Sequence, residues 1–254
     1  MKLQKVPAPL HIVEFAQVAP ETVGGRTIVP MQLFHHSGRI ADCDNRVFVV
    51  SGFQGPTKHD THISSLLQKA LTKGAFSPIA DVWMTPVTNP SSDPKNSSLN
   101  HQGLDMTKIG VDECAEYQTL IRWIQAAQPK AVLALTIGST SGLAVSGAPA
   151  QVTQRLADLI EKPALDEETV ANRPLANLRQ WCADQNIMWV ELILDEAKKS
   201  FDEIRDSDWK RHFGPAIKWL LEGERFNPPK EEALSMEHFV VPALEMPPEF
   251  AHLV

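Results

Sequence analysis

The chain of 254 residues is short of cysteine, of basic charge and of long apolar runs. Its three cysteines, Cys43, Cys114 and Cys182, are far apart and odd in number. That argues against a disulfide framework and against a C-x-x-C metal site. No stretch approaches the ~18 consecutive apolar residues of a membrane helix. The opening MKLQKVPAPLHIVEF has no apolar core of the length a secretion signal needs. Lysine and arginine total 24 against 31 aspartate and glutamate, a net charge of −7 with the signs interspersed. Neither nucleic acid nor an anionic membrane is therefore expected as a partner. There is no internal repeat and no low-complexity tract. A reducing compartment, the cytoplasm, is the expected location, and the sequence carries no signature of oligomeric state.

What is present is ordinary globular composition, 43% hydrophobic and 22% charged. A chain this long can bury roughly 70–75% of its unfolded surface without covalent staples. No domain boundary is visible, so one α/β domain is expected over residues 1–224. The Pro-rich tail, 225–254, is expected to pack on it as an extension.

Short β-branched and apolar runs alternate with helical periodicity, the pattern of a twisted, mixed but mainly parallel sheet with helices on both faces. Residues 27–35 (TIVPMQLFH) read as a first strand, on the sheet edge because of Pro30. Residues 47–50, 79–84, 131–136 and 187–194 read as further strands. Helices are expected at 63–71, 112–127, 152–160, 174–185 and 208–222. Residues 137–150 (IGSTSGLAVSGAPA) read as a small-residue connection. Residues 86–103 form a long polar loop, of the length that is usually functional or mobile.

The most informative stretch is 47–57 (VFVVSGFQGPT). Val47, Phe48, Val49 and Val50 form a run apolar on both faces, then Ser51-Gly52 breaks it. In an open α/β sheet, ligands collect just past the carboxyl ends of such strands. Phe53-Gln54-Gly55-Pro56-Thr57 therefore stands where a site is expected.

Several segments in shared order resemble the zinc carboxypeptidases, especially the short bacterial members that trim peptidoglycan peptides. Gly25-Arg26-Thr27-Ile28 resembles the family's Gly-Arg-x-Ile. Residues 49–57 are similar to the strand and loop that read G-x-H-G-D-E. Asn89-Pro90 followed by Asn100 to Lys108 (NHQGLDMTK) resembles N-P-D-G … N-A-R-G-V-D-L-N-R with the spacing kept. Residues 116–136 resemble the helix and strand that end in the third metal ligand, and 187–193 the strand that carries the catalytic glutamate. The resemblance spans about residues 24–222.

The family holds one Zn²⁺ by His, Glu and His, which leaves a position open for water and lowers that water's pKa. The resemblance places these ligands on Gln54, Thr57 and Thr136. A glutamine carbonyl is a weaker donor than imidazole, and neutral hydroxyls are poor zinc ligands. The oxyanion arginine falls near Ser98, and the carboxylate-binding Asn-Arg pair on Thr107-Lys108. Lys108 keeps the charge but not the bidentate fork. The one tyrosine, Tyr117, sits on a helix, so the family's mobile substrate tyrosine has no counterpart. Glu191 matches the general base. Read without the family, it is a strand-end carboxylate satisfied by a nearby Lys or Arg.

Other residues offer a rebuilt site. His59 and His62, three apart, and His101 in the long loop are alternative ligands. Against this, His59-Asp60-Thr61-His62 is also a solvated helix start with Asp60 or Thr61 as N-cap. Ser139-Thr140-Ser141-Gly142 could serve as a nucleophile or an anion-binding loop, but it lacks the G-x-S-x-G elbow and any adjacent basic residue, so a small-residue connection is expected. Two functions follow as expectations. The first is a carboxypeptidase-like protein that has lost the usual zinc site and binds peptides, peptidoglycan-like peptides or a partner without hydrolysing them, with no cofactor. The second is a metallopeptidase, a carboxypeptidase or amidase, with zinc on Gln54 and nearby histidines and Glu191 as base.

Overall fold

The computed structural model describes residues 10–40, 44–55, 59–93, 98–139, 141–195 and 201–222. Its first strand, β1 (His11–Ala16), lies in the opening segment, where no strand was expected. A two-residue ribbon, β2 (Thr22–Val23) with β3 (Arg26–Thr27), closes around Gly24-Gly25. Then come β4 (Met31–His36), β5 (Val47–Val50), α1 (His59–Thr72) and β6 (Val82–Thr85). After the long connection follow α2 (Ala115–Ala127), β7 (Ala131–Gly138), β8 (Gly142–Ser146), α3 (Ala150–Ile160) and α4 (Glu167–Ala171). The last elements are α5 (Ala176–Asp184), β9 (Met188–Asp195), α6 (Phe201–Glu203), a π-helical stretch (Ile204–Phe213) and α7 (Gly214–Glu222).

Among the described residues seven strands form one sheet in the order β1-β4-β6-β5-β7-β9-β8. The central four, β6, β5, β7 and β9, are parallel, and β4 and β8 flank them antiparallel. The fold is thus α/β with a mixed, mostly parallel sheet. Alternation in β5 shows how the layers separate. Val47 and Val49 face a core built from Ile63, Leu67 and Leu71 of α1, Leu156 and Ile160 of α3, and Ile217 and Leu220 of α7. Phe48 and Val50 face the opposite core, built from Tyr117, Leu120 and Trp123 of α2 and Leu178 and Cys182 of α5. Two-sided burial explains the uninterrupted apolar run.

Three expectations are corrected. Residues 27–35 do not form the edge: Pro30 precedes β4, every donor from Met31 onward is free for the ladder, and β4 is paired on both sides. Among the described residues the edges are β8 and β1, and on β1 Ile12, Val13 and Phe15 are exposed. The 137–150 connection contains β8, which pairs antiparallel with β9 from Gly142 with Ile193 to Ser146 with Trp189. The last helix begins near Phe201 rather than at 208 and passes through a π-helical stretch. The tail, 225–254, lies outside the described residues.

Candidate functional site

The loop after β5 is fastened rather than loose. Gly55 N–H donates to Gly52 O at 3.1 Å, which closes a tight turn. Both glycines have positive φ, +70° and +89°. A Cβ on Gly52 would stand 2.6 Å from Pro86 O, and one on Gly55 2.0 Å from Ser92 Oγ. Only glycine fits both the backbone and the approach. Ser51 Oγ donates to Pro86 O (2.8 Å), and Thr88 and Asn89 N–H donate to Ser51 O and Gly52 O (2.9 and 3.0 Å). This grip on residues 86–92 presents a half-buried Gln54 at the carboxyl end of β5. Thr57 lies outside the described residues.

The long connection is cross-tied in turn. Asp93 N–H donates to Leu99 O at 2.9 Å. Ser91 Oγ is 3.1 Å from Glu116 Oε1 and 3.2 Å from His101 Nδ1, and Asn100 Nδ2 donates to Glu116 Oε2 at 3.3 Å. Glu116, in the first turn of α2, is fully buried. A buried carboxylate needs such donors, and here they anchor the loop that carries His101. Glu116 is a functional-site neighbour that sequence reasoning missed. Its one sequence signal, acidity at a helix start, reads simply as a favourable dipole interaction.

Ser98 O accepts from Met106 N–H at 2.9 Å. Thr107 Oγ1 donates to Asp105 Oδ1 at 2.7 Å and Lys108 Nζ lies 3.0 Å from Asp105 Oδ2. Burial pushes the Asp105 carboxyl up, but the Thr107 and Lys108 hydrogen bonds outweigh it and hold it below the usual aspartate value. The Lys108 side chain is 80% exposed, so its charge stands in solvent. The carbonyls of Thr107 and Lys108 accept from Leu175 N–H (2.8 Å) and Asn177 Nδ2 (2.9 Å), which ties this segment to the start of α5.

Thr136 and Glu191 come together. β7 and β9 pair Ala134 with Glu191 and Thr136 with Ile193, and Thr136 Oγ1 donates to Glu191 Oε1 at 2.6 Å. The same oxygen accepts from Arg173 Nε (3.2 Å) and Nη2 (2.7 Å). Arg179 Nη1 stands 3.9 Å from Glu191 Oε2, and its Nη2 donates to Val170 O. The Glu191 side chain has no exposed surface and that of Arg179 only 7%. Burial and then the Arg173 charge lower the Arg179 guanidinium below its ordinary value, and the Glu191 charge only partly opposes this. Neither arginine was flagged by the sequence, because nothing local links 173 or 179 to 191.

His62 is half-buried on α1, and α1 starts at His59, whose side chain lies outside the description. Asp60 and Thr61 are therefore inside its first turn. Among the described residues no three or more His, Cys, Asp or Glu side chains stand together as a metal site. At the ligand positions the resemblance assigns, the described donors, one amide and one hydroxyl already bonded to a carboxylate, do not fit Zn²⁺. A cavity of about 1030 Å³ lies elsewhere, between β8, α3, α4 and α5, and its wall includes Arg179, Asp166 and Gln154.

No protein-family model and no curated protein sequence matches the chain. Solved structures do. The metallo-carboxypeptidase of Pseudomonas aeruginosa superposes with a TM-score of 0.57 at 14% identity over 84% of this chain and 63% of its own. The murein-tripeptide amidase MpaA of Escherichia coli O157 gives 0.53 at 16% over 78% and 88%. The metallo-carboxypeptidase of Burkholderia cenocepacia gives 0.52 at 12% over 86% and 64%. The chain thus spans under two thirds of the length of the two carboxypeptidases. At these identities the likeness establishes the fold, which is that of the zinc carboxypeptidases, as the sequence resemblance implied.

Proposed function

We propose that this zinc-carboxypeptidase-fold chain binds peptides or peptide-like ligands at the carboxyl end of its sheet without metal-dependent hydrolysis. One observation carries the reading: the carboxylate at the general-base position, Glu191, is buried and bonded to the hydroxyl at the third-ligand position, Thr136. A general base must reach the proton it abstracts, directly or through one water. Glu191 Oε1 instead takes three donors from the protein itself. Gln54 sits on a rigid loop and supplies one neutral amide. When bound in relatives of this fold, zinc polarises the scissile carbonyl and its water; the described donors here do not form such a cradle.

The neighbouring amidase acts, by its name, on a murein tripeptide, and a peptidoglycan-type peptide is accordingly the first ligand class to test. Calorimetric titration of the full chain with Zn²⁺, and separately with murein tripeptide, decides between the readings. Tripeptide binding in EDTA without cleavage is the expected outcome. Stoichiometric zinc binding that is lost in Gln54→Ala or His101→Ala, with zinc-dependent release of amino acid, supports instead a rebuilt metallopeptidase site using Gln54 and His59, His62 or His101.

A further inference from the structure

We infer that Ser141 and Lys162 form a serine–lysine dyad, a nucleophilic site for carboxylic esters or amides that owes nothing to the zinc positions. Lys162 Nζ lies 2.7 Å from Ser141 Oγ and 3.1 Å from Ser141 O. The sequence separates the two by twenty-one positions, so the serine loop looks as if it had no base. The fold supplies one. A serine hydroxyl is a weak nucleophile until a base stands within about 2.6–3.2 Å of it, and lysine serves as that base in a known variant of the hydrolase triad.

Both partners are fixed by their elements. Ser141 immediately precedes β8, whose Gly142 pairs with Ile193 at the level of Thr136. Ser141 therefore stands at the carboxyl end of the parallel strands, where open α/β sheets bind ligands. Lys162 follows the end of α3; its N–H donates to Ala157 O at 3.1 Å. The segment after it is bonded to β8, with Leu165 N–H on Leu143 O at 2.9 Å. Both side chains are half-buried, open enough to meet a substrate. Among the described residues no carboxylate ion-pairs with Lys162, although other lysines find one. Pro163 and Ala164, next in the chain, wall the cavity of about 1030 Å³, which is roomy enough for a substrate group.

The chemistry balances with water as the co-reactant. Ser141 Oγ adds to the carbonyl carbon while its proton passes to the neutral Nζ of Lys162. The bond to the leaving amine or alcohol then breaks, and that group takes the proton from Nζ. Water repeats the sequence on the acyl ester, releases the acid and restores the hydroxyl.

The test is labelling of the full chain with a fluorophosphonate in EDTA, read by peptide mass spectrometry. There the serine oxygen bonds to phosphorus, fluoride leaves and Lys162 takes the proton. The expected result is one adduct, on Ser141, forming faster as pH rises and absent in Ser141→Ala. Lys162→Arg keeps a charged donor for the loop but no usable base, so it should label at least ~10-fold more slowly at an unchanged melting temperature. An absent adduct, or one on another residue, overturns the proposal in the wild-type protein alone. So does a folded Lys162→Arg protein that labels at the wild-type rate, since Lys162 would then be a clamp for the loop.

Discussion

Thr136 Oγ1 donates a 2.6 Å hydrogen bond to Glu191 Oε1 across neighbouring parallel strands. The resemblance assigns these positions to a metal ligand and a general base, which in a hydrolytic centre flank a metal-bound water. Here they are each other's partners. Arg173 and Arg179 complete the arrangement from the α4–α5 segment, so that a carboxylate on β9 pins the chain that follows α4. The local charge is two guanidinium groups against one carboxylate, all largely buried.

Removing that carboxylate should destabilise the protein strongly. Glu191→Ala leaves two buried arginines without their counter-charge, and breaking a buried pair in this way costs about 3–5 kcal/mol. Thr136→Val removes one donor of three and should cost only about 1 kcal/mol. Urea denaturation of the two variants measures the difference. A Glu191→Ala protein within about 0.5 kcal/mol of wild type means the clamp is not structural.

Glycine substitutions should rank by what surrounds them. Gly55→Ala must hold a left-handed φ of +89° and displace Ser92, whose Oγ stands 2.0 Å from the new carbon. Gly103→Ala has a similar φ of +79° but meets nothing within 4 Å. The backbone term, about 1–2 kcal/mol, is common to both; the clash adds about 1–3 kcal/mol at Gly55 alone. In a domain of this size each kcal/mol lowers Tm by about 2–4 °C. Equal melting temperatures for the two variants would falsify the tight seating of the Gln54 loop.

Much of the sheet was legible because its information is local. Val47–Val50 announces a strand buried on both faces, and the apolar stripe of α2 appears at helical spacing. β1 and β8 were not legible. β1 exposes Ile12, Val13 and Phe15 and so breaks the usual in–out alternation, and β8 is made of small residues with weak propensity. The site divides in the same way. Gln54 and Thr136 were candidates by their position along ordered segments. Arg173, Arg179, Glu116 and Lys162 were missed because each acts through a side-chain partner at least twelve residues away, and pairing at that range is set by topology rather than pattern.

The buried thiols should be inert until the protein unfolds. Burial pushes both Cys114 and Cys182 up to about 12, so the thiolate, the reactive form, is scarce at neutral pH. Cys114 also caps α2, its sulfur accepting from Tyr117 N–H at 3.5 Å. Iodoacetamide treatment of the native protein near pH 7 should leave both unmodified, and treatment in urea should alkylate both. Peptide mass spectrometry reads each site separately, and modification of Cys182 in the native protein would contradict its burial.

Acid should weaken the fold through His36. Its ring is buried on β4. Burial lowers its pKa below the ordinary 6.5; among its charged neighbours His35 lowers it further, and Asp81, with backbone hydrogen bonds, only partly opposes the shift. The unfolded chain then binds a proton that the folded chain refuses. The stabilising effect of the neutral ring is complete above the unfolded value of 6.5 and is lost as pH falls through the lower, folded pKa. His36→Phe removes the titration and keeps a ring of similar size. Between about pH 7.5 and about pH 5.5 the wild-type urea midpoint should fall, and that of His36→Phe should fall less. Parallel losses in the two proteins would assign the acid sensitivity to other groups.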